Sequence, residues 1–411
     1  MTVHWAIFID NDSHKAQFVT AVLNQSHADF KEFDTQKGAL LSPLALTKFV
    51  DQEERHGRSA LQSSGQPLKS LSSGEQKKAL LFHVLETRPD YMILDNPFDN
   101  LDSDFQAELK QLLTQKSKNI NFIQLASRKA DLLPFISRFA ILNKGQLTVV
   151  KDIDQDTSIS RTTPFQGQIP KPIHQINMEQ NTLIEFKNVS ISYCNKPILK
   201  NITWKIKKKE FWQLVGKNGS GKTTLLSMIV GDNPKAFGQD IYIFGKKKGS
   251  GESVWDIKEK IGYFSSNMTD KFTGRHTVEH MLISGLTDSI GLYTKPSEAQ
   301  KRTSKKWLVL LNFWEKRNTL FKDLSLGQQR LVMTARAMIK HPPLLILDEP
   351  TAGMDDTSAQ LLVALVKKIA AETDTSIVFV SHRTEPGLLP KSIFRLEMHT
   401  HGSTGSSANG A

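Results

Sequence analysis

FWQLVGKNGSGKTTLLSMIV, residues 211–230, runs from an apolar strand-sized stretch through a loop with glycines at 216, 219 and 221 into a helix-like stretch. The pattern G-x-x-x-x-G-K-[ST] inside it would arise by chance in a chain this long with a probability of about 1–2% at ordinary residue frequencies. Here it also stands between a strand and a helix, the setting its chemistry needs. Gly216, Gly219 and Gly221 let backbone N–H groups turn inward as an anion nest at a helix N-terminus. Lys217, Asn218, Ser220 and Thr224 complete the loop, which is expected to bind a nucleoside triphosphate. Lys222 would neutralise the β- and γ-phosphates, and Thr223 would offer its hydroxyl to Mg²⁺.

Further along, LLILDEP (344–350) is an apolar strand ending in two carboxylates. Ligands of α/β sheets bind at the carboxyl ends of strands, so Asp348 is expected to hold Mg²⁺ through water and Glu349 to polarise an attacking water. SIVFVSH (376–382) ends another apolar strand at His382, within reach of a γ-phosphate. Strand-like runs (TLIEF, FWQLV, DIYIF, LLILD, SIVFV) alternate with helix-like ones (TTLLSMIV, RLVMTARAMI, AQLLVALVKKIAAE), which predicts a parallel sheet covered by helices.

An internal repeat sets the register of the whole chain. LSSGEQKKALLFHVLETRPDYMILDNPFDNLD (71–102) lies without a gap over LSLGQQRLVMTARAMIKHPPLLILDEPTAGMD (324–355), with ten of 32 positions identical. Trp5 precedes Lys15 by the same 10 residues that separate Trp212 from Lys222. The copies are unequal: Lys222 to Leu324 is 102 residues, Lys15 to Leu71 only 56, and the first copy has no counterpart of residues 181–210.

Phosphate loop, LSLGQ, LLILDEP, AGMD and a strand ending in His382 together resemble the ATP-binding cassette (ABC) ATPases, within the P-loop NTPases. WDIKEKIGYFSSNM, FGKKKGSGES, LISGLTDSIGLY and the unequal tandem layout are similar to the ModF/PhrA group of two-cassette proteins. The resemblance implies an α/β fold with two cassettes, ATP and Mg²⁺ as ligands, and ATP hydrolysis. It also implies that each ATP is held between the phosphate loop of one cassette and the signature loop of the other. Tyr193 then takes the place of the aromatic that stacks on adenine. One position departs from the pattern: the glutamine expected after IGYFS is Ser266, which weakens the expectation of coupling to a transmembrane partner.

The first copy has lost its own phosphate site. IDNDSHKA (9–16) lies on GKNGSGKT; Lys15 survives, but Ile9 and His14 replace glycines, Asp10 and Asp12 bring negative charge, and Ala16 has no hydroxyl. Asn96 stands where the second copy has Glu349, and Ser127 where it has His382. LSSGE remains, so Ser72, Ser73 and Gly74 are expected to complete the ATP site of the second copy from the start of a helix.

The expected organisation is a shortened, degenerate cassette over 1–150, a polar, proline-bearing linker over 151–180, a complete cassette over 181–399 and a disordered Gly/Ser tail over 400–411. Apolar residues make up 39% and charged residues 23%, which excludes wholesale disorder. No apolar run reaches the roughly 18 to 20 residues of a membrane span. One cysteine, Cys194, no zinc spacing and no secretory start point to a reducing cytoplasm, with the inner face of the cell membrane as the alternative for a transporter subunit. Residues 1–150 carry 17 basic and 17 acidic side chains, so the net charge of +11 belongs to the remainder. Its runs Lys205, Lys207, Lys208, Lys209 and Lys246, Lys247, Lys248 could touch nucleic acid, but a solvated face is the expected reading. The expected partners are therefore ATP and the second cassette of the same chain, with a membrane protein or nucleic acid as rivals.

Overall fold

The computed structural model describes residues 2–10, 13–56, 73–151, 165–272, 274–383 and 385–410. The chain divides into two units: residues 1–160 with Gly353–Thr357, and residues 161–352 with 358–411.

The first unit runs β1 (His4–Ile9), α1 (Lys15–Leu23), β2 (Gly38–Leu41), α2 (Pro43–His56), α3 (Ser73–Glu86), β3 (Tyr91–Asp95), α4 (Ser103–Lys116), β4 (Asn121–Ala126), β5 (Arg138–Asn143) and β6 (Gln146–Val150). Its sheet has the order β2-β3-β4-β1-β5-β6, parallel except for the last pair. Successive side chains of a strand point to opposite faces, and both faces here are covered. On β3, Met92 and Leu94 enter a core with Leu80, Leu81 and Leu109, while Tyr91 and Ile93 enter one with Trp5, Phe18 and Phe33.

The second unit runs β7 (Thr182–Tyr193), β8 (Lys196–Lys207), β9 (Phe211–Gly216), α5 (Lys222–Val230), β10 (Ile241–Ile243), β11 (Lys246–Lys247), α6 (Val254–Lys260), β12 (Ile261–Ser265), α7 (Val278–Ser284), α8 (Glu298–Leu310), α9 (Leu326–Met338), β13 (Leu344–Asp348), α10 (Asp356–Glu372), β14 (Ser376–Val380), β15 (Ser392–Glu397) and β16 (Thr404–Asn409). One sheet has the order β12-β13-β14-β9-β15-β16, the first unit's order strand for strand, again parallel except for the last pair. A second sheet, β11-β10-β7-β8, is antiparallel and belongs to this unit alone among the described residues. Its inner face, with Phe186, Ile202 and Trp204, shares a core with Leu214, Leu225 and Ile346.

One expectation about the chain's organisation needs correction. Residues 404–409, expected in a disordered tail, form β16 and pair with all six residues of β15. The composition misleads because backbone, not side chains, carries a ladder. Gly405 is needed there: a Cβ would lie 2.3 Å from the Phe394 ring, which itself stacks on Trp204 at 4.5 Å. The expected linker is packed in its second half. Residues 152–164 lie outside the described residues, but Phe165 and Ile169 are buried. The Ile169 N–H donates to Glu372 at 2.7 Å, and the Pro170 carbonyl lies 2.6 Å from the His341 imidazole.

Candidate functional site

The second unit's β9 is the first strand of its main sheet in chain order and lies inside it, between β14 and β15. The chain leaves β9 at Gly216 and enters α5 at Lys222, so the loop between them opens at the sheet's topological switch point, where α/β folds bind ligands. Gly219 and Gly221 adopt φ of 78° and 91°, left-handed values that favour glycine. A Cβ on Gly221 would sit 2.7 Å from Leu199, and one on Gly216 would sit 2.5 Å from Ser220 Oγ and 3.0 Å from the Leu396 carbonyl. Space demands glycine at 216 and 221, and the left-handed backbone favours it at 219 and 221, as an anion nest requires. Lys217, Asn218 and Ser220 line the turn; Ser220 Oγ is buried with no hydrogen-bond partner among the described residues. Thr223 and Thr224 follow in the first turn of α5, with Thr223 exposed.

Lys222 is buried and folds its ammonium into the loop, donating to the Gly216 carbonyl at 2.7 Å and the Lys217 carbonyl at 3.0 Å. His382, just beyond β14, brings Nδ1 to 3.5 Å from the same ammonium, and its Nε2 pairs with Glu349 Oε1. Glu349 follows β13 with φ of 50°, and its N–H donates to the Val380 carbonyl at 3.0 Å. A glutamate in that backbone region is strained, and such strain collects at functional sites. Burial pushes the Glu349 carboxyl up, but the hydrogen bond and charge of His382 and the Lys222 ammonium outweigh it, leaving it below the usual carboxylate range. Asp348 goes the other way: burial, then the neighbouring Glu349 charge, raise it to about 6 despite Lys222.

Two contacts here had no signal in the sequence. The Tyr263 hydroxyl on β12 lies 3.5 Å from Asp348 Oδ2, a pairing that only the β12–β13 register creates. Arg330 on α9 donates to the Ser266 carbonyl at 2.7 Å with its guanidinium 5.5 Å from the Phe264 ring, so position 266 offers backbone to that helix. Tyr193 ends β7, partly exposed, with its hydroxyl on Asn233.

The donor set suits Mg²⁺. Among the described residues no group of three or more His, Cys, Asp or Glu gathers as a metal cage. A hydroxyl and one or two carboxylates match a cation that takes its remaining oxygens from phosphates and water. Asp348, raised by burial and then by its negative neighbour, is a carboxylate that a cation would relieve.

The equivalent place in the first unit, described at residues 9–10 and 13–16, is lined differently. Ile9 is buried where the second unit has Gly216. Lys15 Nζ lies 3.0 and 3.1 Å from the two Asp95 oxygens, so its charge meets a carboxylate of its own unit. Asn96 and Ser127 hydrogen-bond each other twice, at 2.9 Å each, where the second unit pairs Glu349 with His382. Asn96 keeps the left-handed backbone, φ 43°, at lower cost, since asparagine tolerates that region. Ser13 Oγ lies 2.7 Å from Asp10 Oδ1 and 2.6 Å from the Leu142 carbonyl, two acceptors for its one proton. Asp12 and Ser72 lie outside the described residues; Ser73 opens α3, and Gly74 is buried against the Phe105 ring.

A parallel α/β sheet with a phosphate-binding loop at its switch point and an acidic strand end beside it defines a P-loop nucleotide-binding protein. A family model described as "ABC transporter" matches residues 199–352. The chain is 36% identical over 332 residues to the ABC transporter ATP-binding protein ModF of Escherichia coli, spanning 77% of this chain and 67% of ModF. It is 33% identical over 339 residues to an uncharacterized ABC transporter ATP-binding protein of Schizosaccharomyces pombe, spanning 79% and 69% of the two chains. The chain belongs to the ABC family of ATP-binding proteins, as a ModF-like protein with two tandem cassettes. The fold also matches an archaeal ribosome recycling factor solved with a ribosomal stalk protein, with a TM-score of 0.63 at 15% identity, over 99% of this chain and 86% of that one. No helix among the described residues is long and apolar enough to cross a membrane.

Proposed function

We propose that the chain hydrolyses ATP at one competent site, built on the second cassette and completed by the first cassette's Ser72, Ser73 and Gly74. The observation that carries the reading is the convergence of Lys222, His382 and Glu349 at the ends of β9, β14 and β13, beside a loop whose glycines cannot be replaced. In this scheme Gly216–Thr224 and Lys222 hold the phosphates, and binding draws the ammonium from its loop carbonyls onto them. Glu349, ionised at neutral pH, orients the attacking water, and His382 holds that carboxylate in place. Thr223 and Asp348 would hold Mg²⁺, which supplies charge neutralisation of the phosphates when bound. Tyr193 serves as the adenine platform. Retention of LSSGE beside a closed phosphate loop supports a signature role for the first cassette, because the second cassette supplies what it lacks.

The test is turnover and binding on the wild type and two variants. Lys222→Ala should lose nucleotide binding. Glu349→Gln should bind ATP with Mg²⁺ but turn over orders of magnitude more slowly, since positioning and charge stabilisation carry most of phosphoryl transfer. Full turnover in either well-folded variant sinks the assignment.

What the cycle drives is a separate matter. The relatives' description as transporter ATP-binding proteins makes a membrane protein the first partner to test, by co-purification with the Glu349→Gln protein. A nucleic-acid partner draws little support from the basic runs. Lys205, Lys209 and Lys247 pair with Glu185, Asp374 and Asp240, Lys248 is buried on Glu252, and Lys208 donates to the Met178 carbonyl.

A further inference from the structure

The turn between β7 and β8 is Cys194–Asn195, with φ of 47° and 63°, the paired positive values of a tight type I′ hairpin. That turn fixes the backbone of Tyr193 but leaves its ring, 38% exposed, free to rotate unless something holds the hydroxyl. Asn233 holds it. Its amide is only 5% exposed and fully engaged. Asn233 Nδ2 lies 2.8 Å from the Tyr193 hydroxyl and donates to Ser227 Oγ at 3.0 Å. Asn233 Oδ1 accepts from the Lys235 N–H at 3.0 Å and lies 3.1 Å from the same hydroxyl. Ser227 belongs to α5, the helix that opens with Lys222. Five residues at 1.5 Å rise place it about 7.5 Å along the axis from the phosphate-binding lysine. Lys235 Nζ lies 6.0 Å from the centre of the Tyr193 ring.

We propose that Asn233 is a positioning residue for the nucleobase: by tying the Tyr193 hydroxyl to Ser227, it sets the distance from aromatic platform to phosphate anchor and so favours ATP over a bare triphosphate. The inference rests on the proposed role of Tyr193 as platform. A buried amide with both ends satisfied makes a rigid spacer, because rotating it would break several hydrogen bonds at once. A ring held at a fixed distance stacks without first losing rotamer freedom, and that preorganisation appears as affinity for the base alone.

The experiment uses the full chain carrying Glu349→Gln and measures dissociation constants for ATP and for inorganic tripolyphosphate, both with Mg²⁺, by competition with one fluorescent nucleotide. Asn233→Ala should raise the ATP constant about 5- to 10-fold, the effect of losing about one hydrogen bond's worth of preorganisation. Tripolyphosphate binding should stay within about twofold of the parent if base placement alone is affected. Tyr193→Phe keeps the ring and loses the tether, so it should move ATP the same way, and the double variant should lose little more than the worse single one. In the active protein, Asn233→Ala should raise KM and leave kcat unchanged. Equal loss of both ligands, or ATP binding indifferent to Asn233→Ala and Tyr193→Phe while Tyr193→Ala weakens it, overturns the positioning role alone. ATP binding indifferent to Tyr193→Ala overturns the platform reading and this inference with it.

Discussion

Replacing Asp348 by asparagine, which keeps an oxygen for the Tyr263 hydroxyl and discards the charge, should stabilise the nucleotide-free protein above pH 6. The carboxyl titrates near 6 in the folded chain against 3.8 for an ordinary aspartate, because burial and the Glu349 charge penalise its ionised form. The folded state therefore binds this proton more tightly than the unfolded one, and stability falls as pH rises between those two values. The full penalty is about 3 kcal/mol, reached above pH 6; about half of it applies at pH 5, and little remains at pH 4. For a domain of this size that corresponds to roughly 6–12 °C in Tm. Melting curves of wild type and Asp348→Asn at pH 5 and pH 8, without nucleotide, read the effect directly. The variant should melt higher at both, with the larger gain at pH 8. Adding ATP and Mg²⁺ should raise the wild-type Tm more than the variant's, since the charge that destabilises the free protein is the one a cation uses. A variant less stable than wild type at pH 8, or a gain of equal size at both pH values, would refute the reasoning.

Other outcomes follow from the proposed loss of the first phosphate site and from the observed ladders. Lys15→Ala should leave ATP binding and turnover unchanged, because Lys15 already faces Asp95; lost turnover in a folded Lys15→Ala protein would show that the first phosphate loop works. Calorimetric titration of the Glu349→Gln protein should give close to one tight ATP per chain, and two equivalent tight sites would contradict the steric and charge changes at Ile9, Asp12 and His14. Ser72→Ala should cut kcat at unchanged Tm if the first signature completes the site, whereas a mere helix cap would cost about 1 kcal/mol of stability and leave kcat alone. Gly74→Asp is the poorer probe, since its Cβ would press on Phe105 at 3.0 Å. Ending the chain after His401 should lower the Tm of the second unit, because it strips the β15 edge and uncovers Phe394; an unchanged Tm would make β16 an ornament.

The phosphate loop, the acidic strand end and the duplicated architecture were legible in the residues because each depends on local chemistry: glycines at fixed offsets, carboxylates after an apolar run, and a gapless repeat. β16 takes the place in its sheet that β6 takes in the first, a match that only the two strand orders reveal. What no local pattern carries is the meeting of residues far apart in the chain. Tyr263 reaches Asp348 through strand register, His382 meets Lys222 across β9 and β14, and Asn233 joins a hairpin to the phosphate-loop helix. The basic runs teach the same lesson in reverse, because their charges look collective in one dimension while Lys205, Lys209, Lys247 and Lys248 each meet a separate carboxylate in three. Sequence alone determined which chemistry the chain carries, since residue type and short spacing decide what can bind a phosphate. Tertiary structure decided which groups share that chemistry and at what pKa, because distance and burial between remote segments exist only once the sheet has closed.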